Sequence, residues 1–360
     1  MRVLVIGDRF ITSELLIEAM ETQFQGSGTQ FEYTELTFDW PVVPVQENDE
    51  LREFVGDGNL VAERARSWDA EMIRTHSGPV PRIAIEAAPR LRVVGAARGG
   101  PVNINWQACT ERGIPVFYAP GRNSGAVAEL TVALMLAETR SIVRAHHSLM
   151  QERRWRGDLY VLEKVGFEMN SATVGLIGFG AIGQKVARIV SGFGASVIVY
   201  DPYADPETIA RSGYRSVSLD DLLREADIVS LHCRLTPETR GMIGQREIAL
   251  MKRTAYLINT ARGELVQSEH LYRALKDGAI AGAGLDVFEA EPPPADSLIY
   301  QLDNVTATTH LGGASIQAAQ IGTRILAGEI FHYLTGTDSL RFCVNPEVLS
   351  SGTRGDGTRA

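Results

Sequence analysis

Three polar residues in the last third of this 360-residue chain suit work on an oxo or hydroxy acid: Arg262 in INTARGEL, Glu291 in DVFEAEPP and His310 in TTHLGG. The planar guanidinium grips a carboxylate through two hydrogen bonds, and an imidazole passes a proton near neutral pH. A carboxylate beside that imidazole favours its charged form. Each residue follows an apolar, β-branched or turn-rich run, as expected where successive parallel strands end at one edge. Spacing alone leaves two readings open. Either one cleft gathers all three, or each polar residue caps the helix that follows its strand.

A second constellation lies upstream, in TVGLIGFGAIGQKVARIVSGFGASVIVYD from Thr173 to Asp201. The pattern predicts a strand over Thr173 to Ile177, a glycine turn through Gly178, Gly180 and Gly183, a helix with Val186, Ala187 and Val190 on one face, and a second strand ending at Asp201. Gly178 permits the tight turn, Gly180 lets the backbone approach a pyrophosphate, and Gly183 lets helix and strand pack closely. The helix start adds free amides and the positive end of a dipole. A carboxylate at position 201 can accept from ribose hydroxyls and would repel a 2'-phosphate, so NAD is expected over NADP.

Regular elements must position these groups. Val3 to Ile6, Arg92 to Ala96 and Pro115 to Tyr118 read as strands of a first region, with helices around Ser13 to Met20 and Val80 to Ala88. The stretch from Gly26 to Asp57, broken by Pro41 and Pro44, takes no assignment. One long helix is expected from Ser124 to about Arg154. Beyond the glycine motif, strands are expected at Ile228 to His232, Ala255 to Asn259, Ala281 to Val287 and Asn304 to Thr308, separated by helices such as Leu219 to Glu225 and Ser268 to Lys276. That alternation gives an α/β fold with a doubly wound second domain, whose ligands bind beyond the carboxyl ends of the strands. The tail from Ser350 to Ala360 lacks any apolar anchor and is expected to be disordered.

Composition excludes several classes. A net charge of −9 and a pI near 5.4 argue against nucleic-acid or anionic-membrane surfaces. Cys109, Cys233 and Cys343 are far apart, with no metal-ligand spacing, so no metal is expected and a reduced, cytoplasmic setting fits. The N-terminal apolar run is too short for a signal peptide, and Val127 to Ala137 is too short to span a bilayer.

The motifs VVGAARGGPVNIN, APGRNSGAVAELTVALML, TVGLIGFGAIG, SLHCRLTPETRGMI, LINTARGELV, AGAGLDVFEAEPP and NVTATTHLGGAS, in this order, resemble the D-isomer-specific 2-hydroxyacid dehydrogenase family and its phosphoglycerate dehydrogenase-like members, over roughly Ile73 to Val344. The resemblance implies two Rossmann-like or flavodoxin-like domains: a discontinuous substrate-binding domain, residues 1–119 plus 314–349, and an inserted NAD-binding domain, residues 120–313. It assigns catalysis to Arg262, Glu291 and His310. It also implies that Ala181 and Ile182 meet the pyrophosphate and that Cys233, beside His232, borders the adenine. Thr260 and Ala261 would border the nicotinamide ribose, with Asp286, His310, Gly312 and Gly313 at the carboxamide. For Asp286 a helix-cap role is the alternative. Gly99 and Gly100 would complete the substrate carboxylate site, and a homodimer through the NAD-binding domain is implied.

Departures from the family pattern bear on the substrate. Ala96 stands where the family has arginine, and Arg98 appears two places on. Arg98 is open to two readings, a ligand for a second anionic group or a surface arginine. Arg74, in IRTHSGP, falls on a pocket-lining segment and is the better candidate for a distal anion such as phosphate. The sequence stops soon after Asn345 to Leu349, so no serine-sensing regulatory domain is expected. Two alternatives stay open: a dehydrogenase of phosphite or a hydroxyalkyl phosphonate, and an NADH-sensing scaffold like the corepressors of this fold.

Overall fold

The computed structural model describes residues 1–40, 46–336 and 340–351, so Pro41, Pro44 and all but the first two residues of the expected disordered tail lie outside the described residues. The chain forms two compact units, one from Met1–Asn123 joined by the return from Ala314, the other from Ser124–Gly313.

The first unit is built on five parallel strands: β1 (Arg2–Asp8), β2 (Glu32–Phe38), β3 (Met72–Thr75), β4 (Val93–Ala96) and β5 (Val116–Tyr118), in the spatial order β2-β1-β3-β4-β5. Alternation along β1 sends Leu4 and Ile6 into one apolar layer and Val3 and Val5 into the other, so both faces of the sheet are covered. β2 escaped the sequence pattern because it is an edge strand in which only Leu36 is buried and glutamates stand at 32 and 35. In β3, Arg74 interrupts the apolar run. The C-terminal return supplies helix Ile316–Thr335, whose Leu326 sits where a side chain on Gly95 would collide with it. The Asn345 side chain then accepts from the Val116 amide and donates to the Ile114 carbonyl, tying the return to β5.

The second unit holds seven parallel strands: β6 (Thr173–Ile177), β7 (Ser196–Tyr200), β8 (Arg215–Ser216), β9 (Ile228–Leu231), β10 (Tyr256–Asn259), β11 (Gly282–Leu285) and β12 (Val305–Ala307). Their order is β12-β11-β10-β9-β6-β7-β8, the doubly wound arrangement, with the direction of winding reversing between β6 and β9. Every residue of β9, β10 and β11 is buried, as expected of central parallel strands covered on both faces.

The single helix expected from Ser124 to about Arg154 is instead two, Ser124–Thr139 and Ile142–Met150. Ser141 between them is left-handed, φ 52° and ψ 32°, which no continuous α-helix tolerates. The carbonyl of Glu138 released there accepts from the Arg144 guanidinium. Gly166 lies so close to the Thr139 carbonyl that a Cβ would stand 2.0 Å from its oxygen, so the following segment seals the helix end.

Candidate active site

The strands of the second unit end where the sequence motifs place chemistry. Gly178, directly after β6, has φ +102°, and a side chain there would meet the Cys233 amide at 2.8 Å. Only glycine combines that backbone with that approach. A Cβ on Gly183 would lie 2.3 Å from the Gly178 carbonyl, which is the close strand-to-helix packing expected of it. Gly180 differs: it is exposed, and a Cβ would touch no protein atom within 4 Å. The protein's own packing therefore does not demand glycine at 180, and the space beside its backbone is open to a ligand.

Ala181 and Ile182 lead straight into helix Gly183–Gly192, so their amides lie at its N-terminal end. This cradle fits a pyrophosphate. Asp201, one residue past β7, accepts from the Phe179 amide at 2.8 Å and the Tyr203 amide at 2.9 Å. It is half-buried, so it braces the glycine turn and keeps lone pairs for hydroxyl donors. Among the charges of this edge, a carboxylate at 201 suits an unphosphorylated ribose.

His232 and Cys233 follow β9 across the switch point. His232 bonds Ser230 through Nε2 at 2.9 Å, and burial pushes its imidazole down to about 3. Burial pushes the Cys233 thiol up to about 11, so it is no thiolate nucleophile. After β10, the Asn259 side chain accepts from the Ala261 amide and donates to the Arg262 carbonyl, fixing the Thr260 to Arg262 turn. The Thr260 hydroxyl turns inward to Thr131 at 2.7 Å. Arg262 is exposed, its Nη1 donating only to the neighbouring Ala261 carbonyl at 2.7 Å.

Glu291 and His310 meet. Glu291 Oε2 lies 2.8 Å from His310 Nδ1, and Oε1 accepts from the Phe288 amide at 3.1 Å. The hydrogen bond that His310 donates to Glu291 holds the His310 pKa above the ordinary histidine value, against partial desolvation and the opposing charge of Arg262. A Cβ on Gly263 would stand 1.9 Å from the Phe288 carbonyl carbon. That contact brings the Arg262 turn against the loop that carries Glu291.

His310 sits in a left-handed conformation, φ +58°, unusual for a residue with a side chain. Asp286 holds it there. Its carboxylate, 1% exposed, accepts from the Thr308 hydroxyl at 2.6 Å, the Leu311 amide at 2.7 Å and the Gly312 amide at 2.8 Å, while the Asp286 carbonyl accepts from the His310 amide. The first helix after β11 starts only at Leu298, too far along the chain for Asp286 to cap, and among the described residues Arg262, Glu291 and His310 make no side-chain capping bonds to a helix either. Gly312 must be small, because a Cβ would lie 2.9 Å from Asp286 Oδ2; Gly313 closes the unit.

The remaining predicted residues belong to the first unit. Arg98, Gly99 and Gly100 follow β4, and a side chain on either glycine would meet no protein atom within 4 Å. Arg98 donates to the Glu53 carbonyl at 2.8 Å and pairs with the Glu53 carboxylate. Arg74 corrects the expectation of a distal anion ligand. Alternation on β3 turns its side chain into the layer under helix Ser13–Phe24, where it is fully buried and donates to the Leu16 carbonyl at 2.6 Å. No substrate anion reaches it there.

Sequence reasoning passed over Asp8, His76 and Arg122. Asp8 and His76 meet at 2.7 Å, and Arg122 Nη2 lies 3.1 Å from His76 Nε2. The signal was available, since each is a polar residue at or just past the end of an apolar strand. It was masked by the motifs nearby.

A doubly wound parallel domain with a glycine cradle at its switch point, and an imidazole–carboxylate pair on the same edge, defines a dinucleotide-binding domain of the oxidoreductase class. The chain belongs to the D-isomer-specific 2-hydroxyacid dehydrogenase family, whose NAD-binding domain model matches residues 132–312. It is 37% identical to a glyoxylate reductase of Korarchaeum cryptofilum over 81% of this chain and 86% of that protein. It is 43% identical to a D-3-phosphoglycerate dehydrogenase of Methanocaldococcus jannaschii over 74% of this chain, which spans about half of that longer relative, 50%. Among solved structures, the TT0316 protein from Thermus thermophilus matches with a TM-score of 0.74 at 30% identity, covering 96% of this chain and 100% of that one. The NAD-complexed D-isomer-specific 2-hydroxyacid dehydrogenase from Lactobacillus delbrueckii ssp. bulgaricus matches at 0.73 and 26% identity, covering 96% and 100%. The cofactor of the second unit is therefore NAD.

Proposed function

We propose that the chain is an NAD-dependent oxidoreductase acting at C2 of a D-2-hydroxy acid or 2-oxo acid, and the observation that carries this reading is the 2.8 Å His310–Glu291 pair on the cofactor-binding edge. NAD bound at that edge supplies the hydride carrier. With Nδ1 committed to Glu291, His310 presents Nε2 to the substrate oxygen, donating its proton during reduction and taking the hydroxyl proton during oxidation. Glu291 stabilises the imidazolium. Arg262, exposed beside the pair, anchors the substrate carboxylate and offsets charge developing on the oxygen. Its cation also disfavours imidazolium until a substrate carboxylate neutralises it, so acid binding and protonation of His310 reinforce one another. Asp286 contributes by holding the His310 loop, and the carboxamide contact expected of it belongs to this same proposal, as do the contacts assigned to Gly99 and Gly100.

A glyoxylate reductase and a D-3-phosphoglycerate dehydrogenase are both among the relatives, which favours a 2-hydroxy acid over phosphite, a phosphonate or a corepressor role. The test is NADH consumption with glyoxylate, pyruvate, hydroxypyruvate, phosphohydroxypyruvate and phosphonate analogues; failure on every 2-oxo acid would defeat the reading.

The protein acts as a homodimer through the second unit and works in a reducing, cytoplasmic setting. What supports the dimer is a run of exposed apolar side chains on and after helix Ile142–Met150: Ile142, Leu149, Met150, Trp155, Tyr160 and Leu162. Sedimentation should give twice the mass of one chain, and Leu162→Asp with Trp155→Asp should shift the equilibrium to monomer. A wild-type monomer at micromolar concentration would count against it. All three cysteines are free thiols, and no helix among the described residues is long and apolar enough to cross a membrane.

A further inference from the structure

We infer that the buried Glu138 carboxylate and the Arg144 guanidinium form an acid-sensitive latch that fastens helix Ile142–Met150, and the apolar segment after it, to the body of the second unit. Its second step, that release of this segment weakens a dimer, rests on the proposed homodimer; the latch itself does not.

The helix needs such a fastening. At nine residues it is too short to hold its shape alone in water. Tertiary contacts must supply the rest, yet Ser148 is its only buried residue and none of its apolar side chains is buried. The Ser148 hydroxyl turns to Glu152, within the same segment. Among the described residues, the side-chain hydrogen bonds that leave this helix for the body of the unit all come from Arg144. Its Nη2 donates to the Glu138 carbonyl at 3.1 Å and meets Oε2 of the same residue at 3.4 Å, and its Nη1 donates to the Asp303 carbonyl at 3.3 Å.

Glu138 is built into the other side of the contact. It stands in the last turn of helix Ser124–Thr139, 1% exposed, and its Oε1 accepts from the Thr306 hydroxyl of β12 at 2.5 Å. Gly282, which opens β11, makes room for it: a Cβ there would stand 2.5 Å from Oε2. This acid lies toward the amino ends of the strands, away from the cofactor edge, and no step of the proposed chemistry uses it.

The groups around Glu138 decide how the latch responds to acid. Arg144 faces it from the helix, the Tyr256 phenol from β10 and the Thr306 hydroxyl from β12. Burial raises the Glu138 pKa above the ordinary carboxylate value, while Thr306 and Arg144 pull it down. Burial pushes the Tyr256 phenol up too, so Tyr256 stays neutral while Glu138 titrates. Because Arg144 lowers the Glu138 pKa, its departure raises that pKa further, and by linkage a proton on Glu138 favours the released helix. Thr306, Gly282 and Tyr256 belong to the sheet and remain around the acid when the helix leaves, so its desolvation persists. A neutral Glu138 leaves the part-buried guanidinium only two carbonyls, and water then serves it better.

Hydrogen exchange tests the latch, read as protection factors corrected for the intrinsic rate at each pH. In wild type, protection of helix Ile142–Met150 should fall about 10- to 100-fold between about pH 7.5 and about pH 4.5, while β9, β10 and β11 keep theirs. Glu138→Gln keeps the shape and cannot ionise, so it should show the low protection already at neutral pH and no further fall. Arg144→Met should match it, and Arg144→Lys should recover part of the difference. His147, on the same helix, lies 3.8 Å from Glu152, and His147→Gln should follow the wild-type course. Equal protection in wild type and Glu138→Gln at neutral pH, or a fall with acid that survives the substitution, overturns the inference. Sedimentation reads the second step: the dimer dissociation constant of wild type should rise over the same pH interval, and that of Glu138→Gln should be high throughout. A constant that stays flat while the helix is released overturns that step. A wild type that is monomeric at every pH defeats the proposed dimer instead, and exchange alone then upholds or overturns the latch.

Discussion

Two carboxylate–imidazole pairs of nearly equal geometry sit in this chain, His310–Glu291 at 2.8 Å in the second unit and His76–Asp8 at 2.7 Å in the first, and their histidines titrate in opposite directions. The His310 side chain is 43% exposed, and its bond to Glu291 raises its pKa. The His76 side chain is 4% exposed, and burial drives it down to about 4 although Asp8 pulls the other way and Arg122 and Arg98 add to the fall. A short bond to an acid is therefore not enough to charge a histidine. Desolvation and the sign of the neighbouring charges decide. Of the two, only His310 is poised to exchange a proton near neutral pH, and only His76 is locked as a neutral linker.

The largest effect that would break this contrast lies in the pair proposed to be catalytic, His310 and Glu291. His310→Ala should lower kcat on the best 2-oxo acid by roughly 10²- to 10⁴-fold, the usual contribution of a placed acid–base group. NADH binding, followed by fluorescence titration, should stay close to wild type. Retained turnover would remove His310 from the chemistry.

Glu291→Gln is the next test. It keeps the size of the side chain and removes the charge that raises the His310 pKa. Reduction needs imidazolium, so in wild type its kcat/KM should hold at low pH and decline as pH rises through the raised pKa; oxidation should show the reverse. In Glu291→Gln the decline for reduction should move to lower pH. A pH profile unchanged by the substitution would mean that Glu291 only supports the loop through Phe288.

Much of the second unit was legible because its central strands β9, β10 and β11 are buried on both faces, whereas the two-residue edge strand β8, exposed throughout, escaped the pattern. The strand Thr173 to Ile177 and the helices Leu219 to Glu225 and Ser268 to Lys276 fall where periodicity puts them. The three residues proposed for the site were legible as residue types that follow strands, whereas the parts that hold them were not. Asp286 works through three bonds to a loop 22 to 26 residues away, a relation that local pattern does not contain. In the first unit, edge exposure hid β2, and a single arginine hid β3. The same arginine drew attention away from His76, two residues on, because an Arg in a pocket-lining segment suggests an anion. What sequence could not show is that strand alternation buries Arg74 against the Leu16 carbonyl, whereas Arg122 meets His76 at the strand ends. The break at Ser141 was equally invisible, since Ala, Leu and Glu on either side favour one helix and only tertiary contacts at Thr139 and Glu138 interrupt it.

The smallest effect is a matter of stability, and it sharpens the comparison most directly. A histidine whose folded pKa is about 4 binds a proton in the unfolded chain, near pH 6.5, before it does so in the fold. As pH falls from about 6.5 towards 4 the unfolded state gains that proton alone, so His76 should erode stability with a slope of at most about 1.4 kcal/mol per pH unit. His310 imposes the opposite sign: its raised pKa adds stability that is fully present below the unfolded value and is lost as pH rises through the folded one. Urea midpoints of wild type and His76→Gln, measured from pH 7.5 to 4.5, separate the two. The variant starts lower throughout, because Asp8 loses its ring partner, but its curve should be flatter on the acid side than that of wild type. Parallel curves would mean that His76 carries a proton in the fold at these pH values, and the neutral linker to Arg122 would go with it.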